Sequence, residues 1–147
     1  MAKIESTVTI RRANSIAALK AAFPVMQELR KHLTLDGFLA AVSAQRKEGY
    51  EIALLWDGDQ VRAVAGYRIM TMLVCGRTFY IDDLVTANDV RDRGYGKLFF
   101  AWLYREAKRL QCEVLHLDSG VHRHAAHAFY LGQRMAITSH HFSIDVS

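Results

Sequence analysis

The sequence predicts a mixed α/β domain, in which a mostly antiparallel central sheet is flanked by helices. Two observations predict it. Apolar residues recur at helical spacing between Ser15 and Leu33, and the pattern changes to that of strands from residue 50 to residue 86. That middle stretch is also cut by two turn signals, Asp57-Gly58-Asp59 and Cys75-Gly76-Arg77. Strands joined by tight turns pair antiparallel, and helices on either side bury their apolar faces on the resulting sheet. A chain of 147 residues is one domain's worth, so residues 1–147 are expected to form a single domain. With 51% hydrophobic and 23% charged residues, wholesale disorder is excluded.

The elements follow in order. Residues 8–12 alternate and start a strand. Between Ser15 and Leu33, the residues Ile16, Leu19, Ala22, Phe23, Met26 and Leu29 mark a helix. Pro24 interrupts it, which predicts two short helices or a kink. Asp36 is placed to cap a helix over 37–47 that ends near Gly49. Three meander strands cover 50–56, 61–72 and 78–86. A glycine-broken segment, 88–96, leads into a helix over 97–110, with Leu98, Phe99, Trp102, Leu103, Ala107 and Leu110 mostly on one face. A short strand over 113–117, a helix over 122–135 and a last strand over 137–146 complete the chain.

Charge and cysteines narrow the function classes. A formal charge of +4 favours an anionic ligand only weakly, because basic and acidic residues are interspersed. With no base-stacking motif either, a nucleic-acid binder is disfavoured. Cys75 and Cys112 form no CxxC pair and suit a reducing compartment. The first residues lack an apolar signal core, and no apolar run reaches the roughly 18 residues of a membrane span. A cytoplasmic protein without membrane association is expected.

The most informative stretch is 80–97, Tyr-Ile-Asp-Asp-Leu-Val-Thr-Ala-Asn-Asp-Val-Arg-Asp-Arg-Gly-Tyr-Gly-Lys. A strand runs into a glycine turn that opens a helix. Glycines let backbone N–H groups approach a ligand, and a helix start adds unpaired donors and partial positive charge. Arg91, Arg93 and Lys97 add cations, so the stretch suits a pyrophosphate. A P-loop fails here, because Arg91 stands where its first glycine belongs and Leu98 replaces its Ser or Thr. The dinucleotide fingerprint fails at Phe99. The pattern that fits is Arg-x-x-Gly-x-Gly, at Arg91, Gly94 and Gly96.

This segment resembles the coenzyme A-binding motif of the GNAT superfamily of N-acetyltransferases. The likeness extends both ways. Ile81-Asp82-Asp83-Leu84-Val85 is similar to that family's acidic fourth strand, residues 114–117 to its fifth, and Ala126-His-Ala-Phe129-Tyr130 to its A-x-x-F-Y helix. Two departures stand out. Arg123 replaces an asparagine three residues before the alanine, and Arg134-Met135 replaces a closing Gly-Phe.

The resemblance implies acetyl-CoA as co-substrate and a primary amine, small or lysine-like, as acceptor. It implies that Arg91, Asp92, Arg93, Gly94, Tyr95, Gly96 and Lys97 hold the pyrophosphate, largely through backbone N–H groups. The strand at Leu84 and Val85 would align pantetheine and supply an oxyanion donor, and Tyr130 would be the general acid to the departing sulfur. Asp82 stands where some relatives carry a catalytic glutamate, so it is the candidate base, acting through water. As neighbours on a strand, Asp82 and Asp83 are expected to face opposite ways. Asp83 and His140 are candidate acceptor-binding residues, and a homodimer is a family expectation. Six of seven histidines lie between His116 and His141, but spacing alone does not show the converging ligands zinc needs, and no metal is expected. The alternative function is a non-catalytic acyl-CoA-binding module.

Overall fold

The computed structural model describes residues 7–147. Its elements are β1 (Val8–Arg12), α1 (Ile16–Leu29), α2 (Leu35–Arg46), β2 (Tyr50–Asp57), β3 (Gln60–Met72), β4 (Gly76–Thr86), a 3-10 turn (Asn88–Arg93), α3 (Tyr95–Arg109), β5 (Val114–Leu117) and α4 (His124–Gly132). The chain divides into two compact units, Met1–His116 and Leu117–Ser147.

The expected fold class is the observed one. Five strands lie in the order β1-β2-β3-β4-β5, and the ladders from β1 through β4 are antiparallel. β5 runs parallel to β4. Glu113 N–H donates to Arg77 O at 2.7 Å, Thr78 Oγ1 donates to Val114 O at 3.1 Å, and the His116 ring lies 5.1 Å from that of Tyr80. Each pair is 36 residues apart, so both strands advance together. Parallel neighbours need a crossover, which the 3-10 turn and α3 supply. β5 stops at Leu117 while β4 runs on to Thr86. Among the described residues, the last part of β4 therefore has one edge with no strand beside it.

The core explains the order of layers. Ile52, Ala53, Leu54 and Leu55 in β2 are all 0% exposed, so both faces of the sheet are covered. α1 contributes Leu19, Ala22, Val25 and Met26, α2 contributes Phe38 and Val42, and α3 contributes Phe99, Leu103 and Ala107. α1 is one helix that passes through Pro24 rather than two. Burying its apolar face on both sides of the proline outweighs the backbone hydrogen bond that proline cannot make. No described helix is long and apolar enough to cross a membrane.

The cap of α2 also differs from expectation. Thr34, not Asp36, is the N-cap, and its Oγ1 accepts from Gly37 N at 3.1 Å. Asp36 sits in the first turn, where its charge meets the helix dipole. Thr34→Ala is expected to lower unfolding free energy by about 1 kcal/mol. In urea titrations this appears as a lower midpoint at unchanged slope, with a smaller shift for Asp36→Ala.

The second unit departs more from the sequence pattern. α4 spans nine residues and ends at Gly132, inside the expected 122–135. The last strand expected over 137–146 is absent. That segment has no regular structure, and Phe142, Ile144 and Val146 are 90%, 88% and 101% exposed. Alternation is present there, but a strand also needs a partner ladder for its N–H and C=O groups, and none pairs with it among the described residues.

Candidate active site

The glycine loop is built from three supports. Ala87 N–H donates to Arg62 O at 2.8 Å as β4 ends. Glu28, near the end of α1, accepts from Asn88 N at 2.9 Å. Asp89 lies 3.6 Å from Arg62. The chain then reverses at Gly94, whose φ of 85° is left-handed and favours glycine. α3 starts at once, with no side chain capping it, and its first bond runs from Leu98 N to Gly94 O. The N–H groups of Tyr95, Gly96 and Lys97 thus have no intrahelical acceptor. Arg91, Arg93 and Lys97 are exposed around them, as is Asp92. Free amides and cations in this arrangement suit an anion. Tyr95 is different: its side chain is 2% exposed and turns inward, where its hydroxyl donates to Asp57.

β4 approaches this loop with its open edge. Ala87 pairs toward β3, so alternate residues Val85 and Asp83 do the same, opposite Val64 and Gly66. Leu84 and Thr86 therefore turn their backbone groups to the open edge. Arg91 Nε already donates to Thr86 O there, at 3.4 Å. Of the two residues expected to align a ligand, Leu84 offers an edge amide, while Val85 has its backbone in the ladder and its side chain buried.

The two aspartates do not separate as expected. Gly66 pairs with Asp83 and Tyr67 with Ile81, so Asp82 is an extra residue in the ladder. This irregularity breaks the two-residue alternation, and both carboxylates join one polar cluster. Arg68 grips Asp82 at two points, Nε to Oδ1 at 3.0 Å and Nη2 to Oδ2 at 2.7 Å. Asp83 accepts from Arg30 Nε at 2.9 Å and from the Tyr50 hydroxyl at 2.6 Å. Arg30 also reaches Asp82 O at 3.1 Å, and Arg68 lies 5.5 Å from the centre of the Tyr50 ring. Burial, reinforced by Asp83, pushes the Tyr50 phenol well above its ordinary range and keeps it a neutral donor. Glu48, 4.0 Å from Arg68, leaves the cluster with three acids against two guanidinium groups. Arg30, Tyr50 and Arg68 were not anticipated from the sequence. Only Arg68 carries a signal there, as a charge inside an apolar strand.

The second unit holds the remaining candidates. Tyr130 lies on α4 and is partly exposed. Burial raises the pKa of its phenol, while Arg123 works in the opposite direction. His127 Nε2 lies 2.8 Å from Gly120 O, and His141 lies 3.5 Å from Asp118. His140 is exposed in the irregular tail. Among the described residues, no three His, Cys, Asp or Glu side chains group as metal ligands.

Residues 15–133 match the acetyltransferase (GNAT) family. The chain belongs to this family. It is similar to YhdJ, an uncharacterized N-acetyltransferase of Bacillus subtilis (strain 168), with 32% identity over 109 residues, 74% of this chain and 77% of the relative. Its fold resembles glucosamine-6-phosphate N-acetyltransferase from Arabidopsis thaliana, with a TM-score of 0.75 and 21% identity over 96% of this chain and 99% of that one. It also resembles the aminoglycoside N-acetyltransferase AAC(6')-Iy in complex with CoA, with a TM-score of 0.82 and 14% identity over 94% and 93% of the two chains.

GNAT membership supports acyl transfer in general. It also gives the two sequence departures a physical content. Arg123 places a guanidinium where its charge acts on Tyr130. Arg134 takes a φ of 66° just past α4, the left-handed conformation that a glycine adopts at no steric cost.

Proposed function

We propose that this GNAT protein transfers the acetyl group of acetyl-CoA to a primary amine by direct attack. The observation that carries this reading is the uncapped start of α3 behind Gly94, ringed by exposed Arg91, Arg93 and Lys97 and lying next in sequence to the open edge of β4. A diphosphate matches those amides and charges, and an extended amide-bearing arm matches a strand edge. The CoA-bound aminoglycoside N-acetyltransferase of similar fold supports both the co-substrate and a small amine-bearing acceptor.

In this reading the chain's groups have separate tasks. The amides of Tyr95, Gly96 and Lys97 fix the diphosphate and so set the register of the thioester. The Leu84 N–H, at the open edge, stabilises the oxyanion as the amine lone pair attacks the carbonyl carbon. The carbon–sulfur bond then breaks, and Tyr130 gives its proton to the departing thiolate. Asp83 and the cluster's excess negative charge attract a cationic acceptor, with His140 as a further acceptor-binding group. Both oxygens of Asp82 already accept from Arg68, so the amine proton reaches Asp82 only through water.

The test is thiol release from acetyl-CoA over a panel of amines, including aminoglycosides, amino sugars, polyamines and lysine peptides. Release with at least one amine supports the reading. Tight CoA binding without release from any amine shows a non-catalytic binding module instead. Gly94→Val is expected to weaken CoA binding at least tenfold. A Cβ at Gly94 would meet no protein atom within 4 Å, yet a branched side chain at that φ costs about 1–2 kcal/mol or more and distorts the turn. Calorimetric titration of CoA checks it, and unchanged affinity would remove the loop from the site.

A further inference from the structure

The loop that opens α3 is held from beneath by a residue on another strand. Tyr95 is the first residue of α3, flanked by Gly94 and Gly96, and its side chain is buried. Its hydroxyl donates to Oδ2 of Asp57, the last residue of β2. The other carboxylate oxygen accepts from Thr7 Oγ1 at 2.5 Å, and Gly58 N–H donates to Thr7 O at 3.2 Å. Hydrogen bonds from Thr7 and then Tyr95, helped by Arg62 and Arg93, hold the Asp57 carboxyl below its ordinary range. The acid is thus a charged acceptor at neutral pH, and the Tyr95 phenol beside it stays protonated.

This contact has a specific consequence. The amides of Tyr95, Gly96 and Lys97 are the ones left without intrahelical acceptors, and Gly94 and Gly96 give the backbone on either side of Tyr95 little stiffness of its own. The hydroxyl tethers the backbone at the point where those amides are aimed. Arg62 adds to the same support from β3, through Ala87 N and Asp89. The β2–β3 hairpin end therefore acts as a fixed base for the loop.

We propose that Asp57 is a positioning residue for the diphosphate-binding loop and acts through the Tyr95 hydroxyl. The proposal rests on the reading of the loop as the acetyl-CoA site. It does not place the Tyr95 ring against the ligand. It assigns affinity for the CoA moiety to the preorganisation of three amides by one part-buried hydrogen bond.

Tyr95→Phe, Asp57→Ala and the double variant test this. Each is assayed for CoA affinity by calorimetry, for kcat and the KM of acetyl-CoA by thiol release, and for melting temperature. Each single variant is expected to weaken CoA binding and raise that KM about tenfold, with kcat at saturation within about twofold. The double variant should be no worse than the more severe single one, because both remove the same link. Tyr95→Phe keeps the buried ring and loses one oxygen, so it remains informative where Asp57→Ala unfolds. A lower melting temperature with unchanged CoA affinity would make the contact merely structural and overturn the proposal. Multiplicative losses in the double variant would overturn it too. Wild-type protein that binds no CoA would sink the functional reading itself, whereas wild-type binding with unaffected variants would sink only the role of Asp57.

Discussion

Tyr130→Phe is expected to lower kcat by about 100-fold or more, with CoA affinity unchanged. The thioester's leaving group is a thiolate, and a proton delivered as the carbon–sulfur bond breaks prevents its return. A phenol serves only while it is protonated. Burial on α4 favours the neutral form and outweighs the opposing pull of Arg123, so the proton is retained past the ordinary tyrosine range. The sign of the pH effect follows. As the proposed acid, Tyr130 with a raised folded-state value keeps its proton throughout the neutral region and loses it only as pH rises through its own ionisation. The wild-type rate should therefore fall on the alkaline side, and that limb should be missing in the Phe variant. Thiol-release kinetics from pH 7 to 11, with calorimetry of CoA at neutral pH, measure both quantities. Full activity in Tyr130→Phe rejects the acid. An unchanged kcat with a raised KM for acetyl-CoA would make the hydroxyl a binding group.

Arg123→Ala sharpens the same point, because among the described residues the Arg123 guanidinium counters the burial effect. Without it, the alkaline limb of the wild-type profile should move to higher pH.

The parts of this molecule that were legible in the sequence are those decided locally. Period changes and the Asp57-Gly58-Asp59 turn announce the meander, because a tight turn and a two-residue period act over a few neighbours. Gly94 and Gly96 announce the loop for the same reason. What was not legible depends on partners far along the chain. Asp82 and Asp83 were expected on opposite faces, and only the pairing of Gly66 with Asp83 and Tyr67 with Ile81 shows the extra residue that brings them together. Arg30 and Tyr50, 53 and 33 residues away from Asp83, carry no local mark of that contact. The tail shows the converse error. Phe142, Ile144 and Val146 alternate as a strand should, yet alternation describes a face and supplies no ladder. The Tyr95–Asp57 link was hidden because a tyrosine inside a glycine loop looks like a ligand contact until its burial is known.

Gly66→Ala is expected to be the most damaging single methyl group in the sheet. A Cβ there would lie 1.7 Å from the Tyr50 hydroxyl oxygen and 2.4 Å from Cζ, distances at which the ring has to move. Tyr50 is 2% exposed, so no open space receives it. Its displacement breaks the 2.6 Å hydrogen bond to Asp83 and removes the ring lying 5.5 Å from Arg68. Overpacking costs about 1–3 kcal/mol, and a lost hydrogen bond to a charged group about 1.5–3 kcal/mol more. A loss of roughly 3–5 kcal/mol is a large share of a domain's stability. It should appear as a much lower urea midpoint and melting temperature. The decisive comparison is with Tyr50→Ala and the double variant Gly66→Ala/Tyr50→Ala. Once the ring is absent, the three atoms nearest to the added methyl group are gone with it, so the double variant should be about as stable as Tyr50→Ala alone. If the two losses add instead, Gly66 is not reserved for the Tyr50 ring. Activity separates the steric effect from the electrostatic one. Tyr50→Phe keeps the ring over Gly66 and leaves Asp83 with only Arg30 among the two donors described, so it should retain most of the stability while raising the KM of a cationic acceptor.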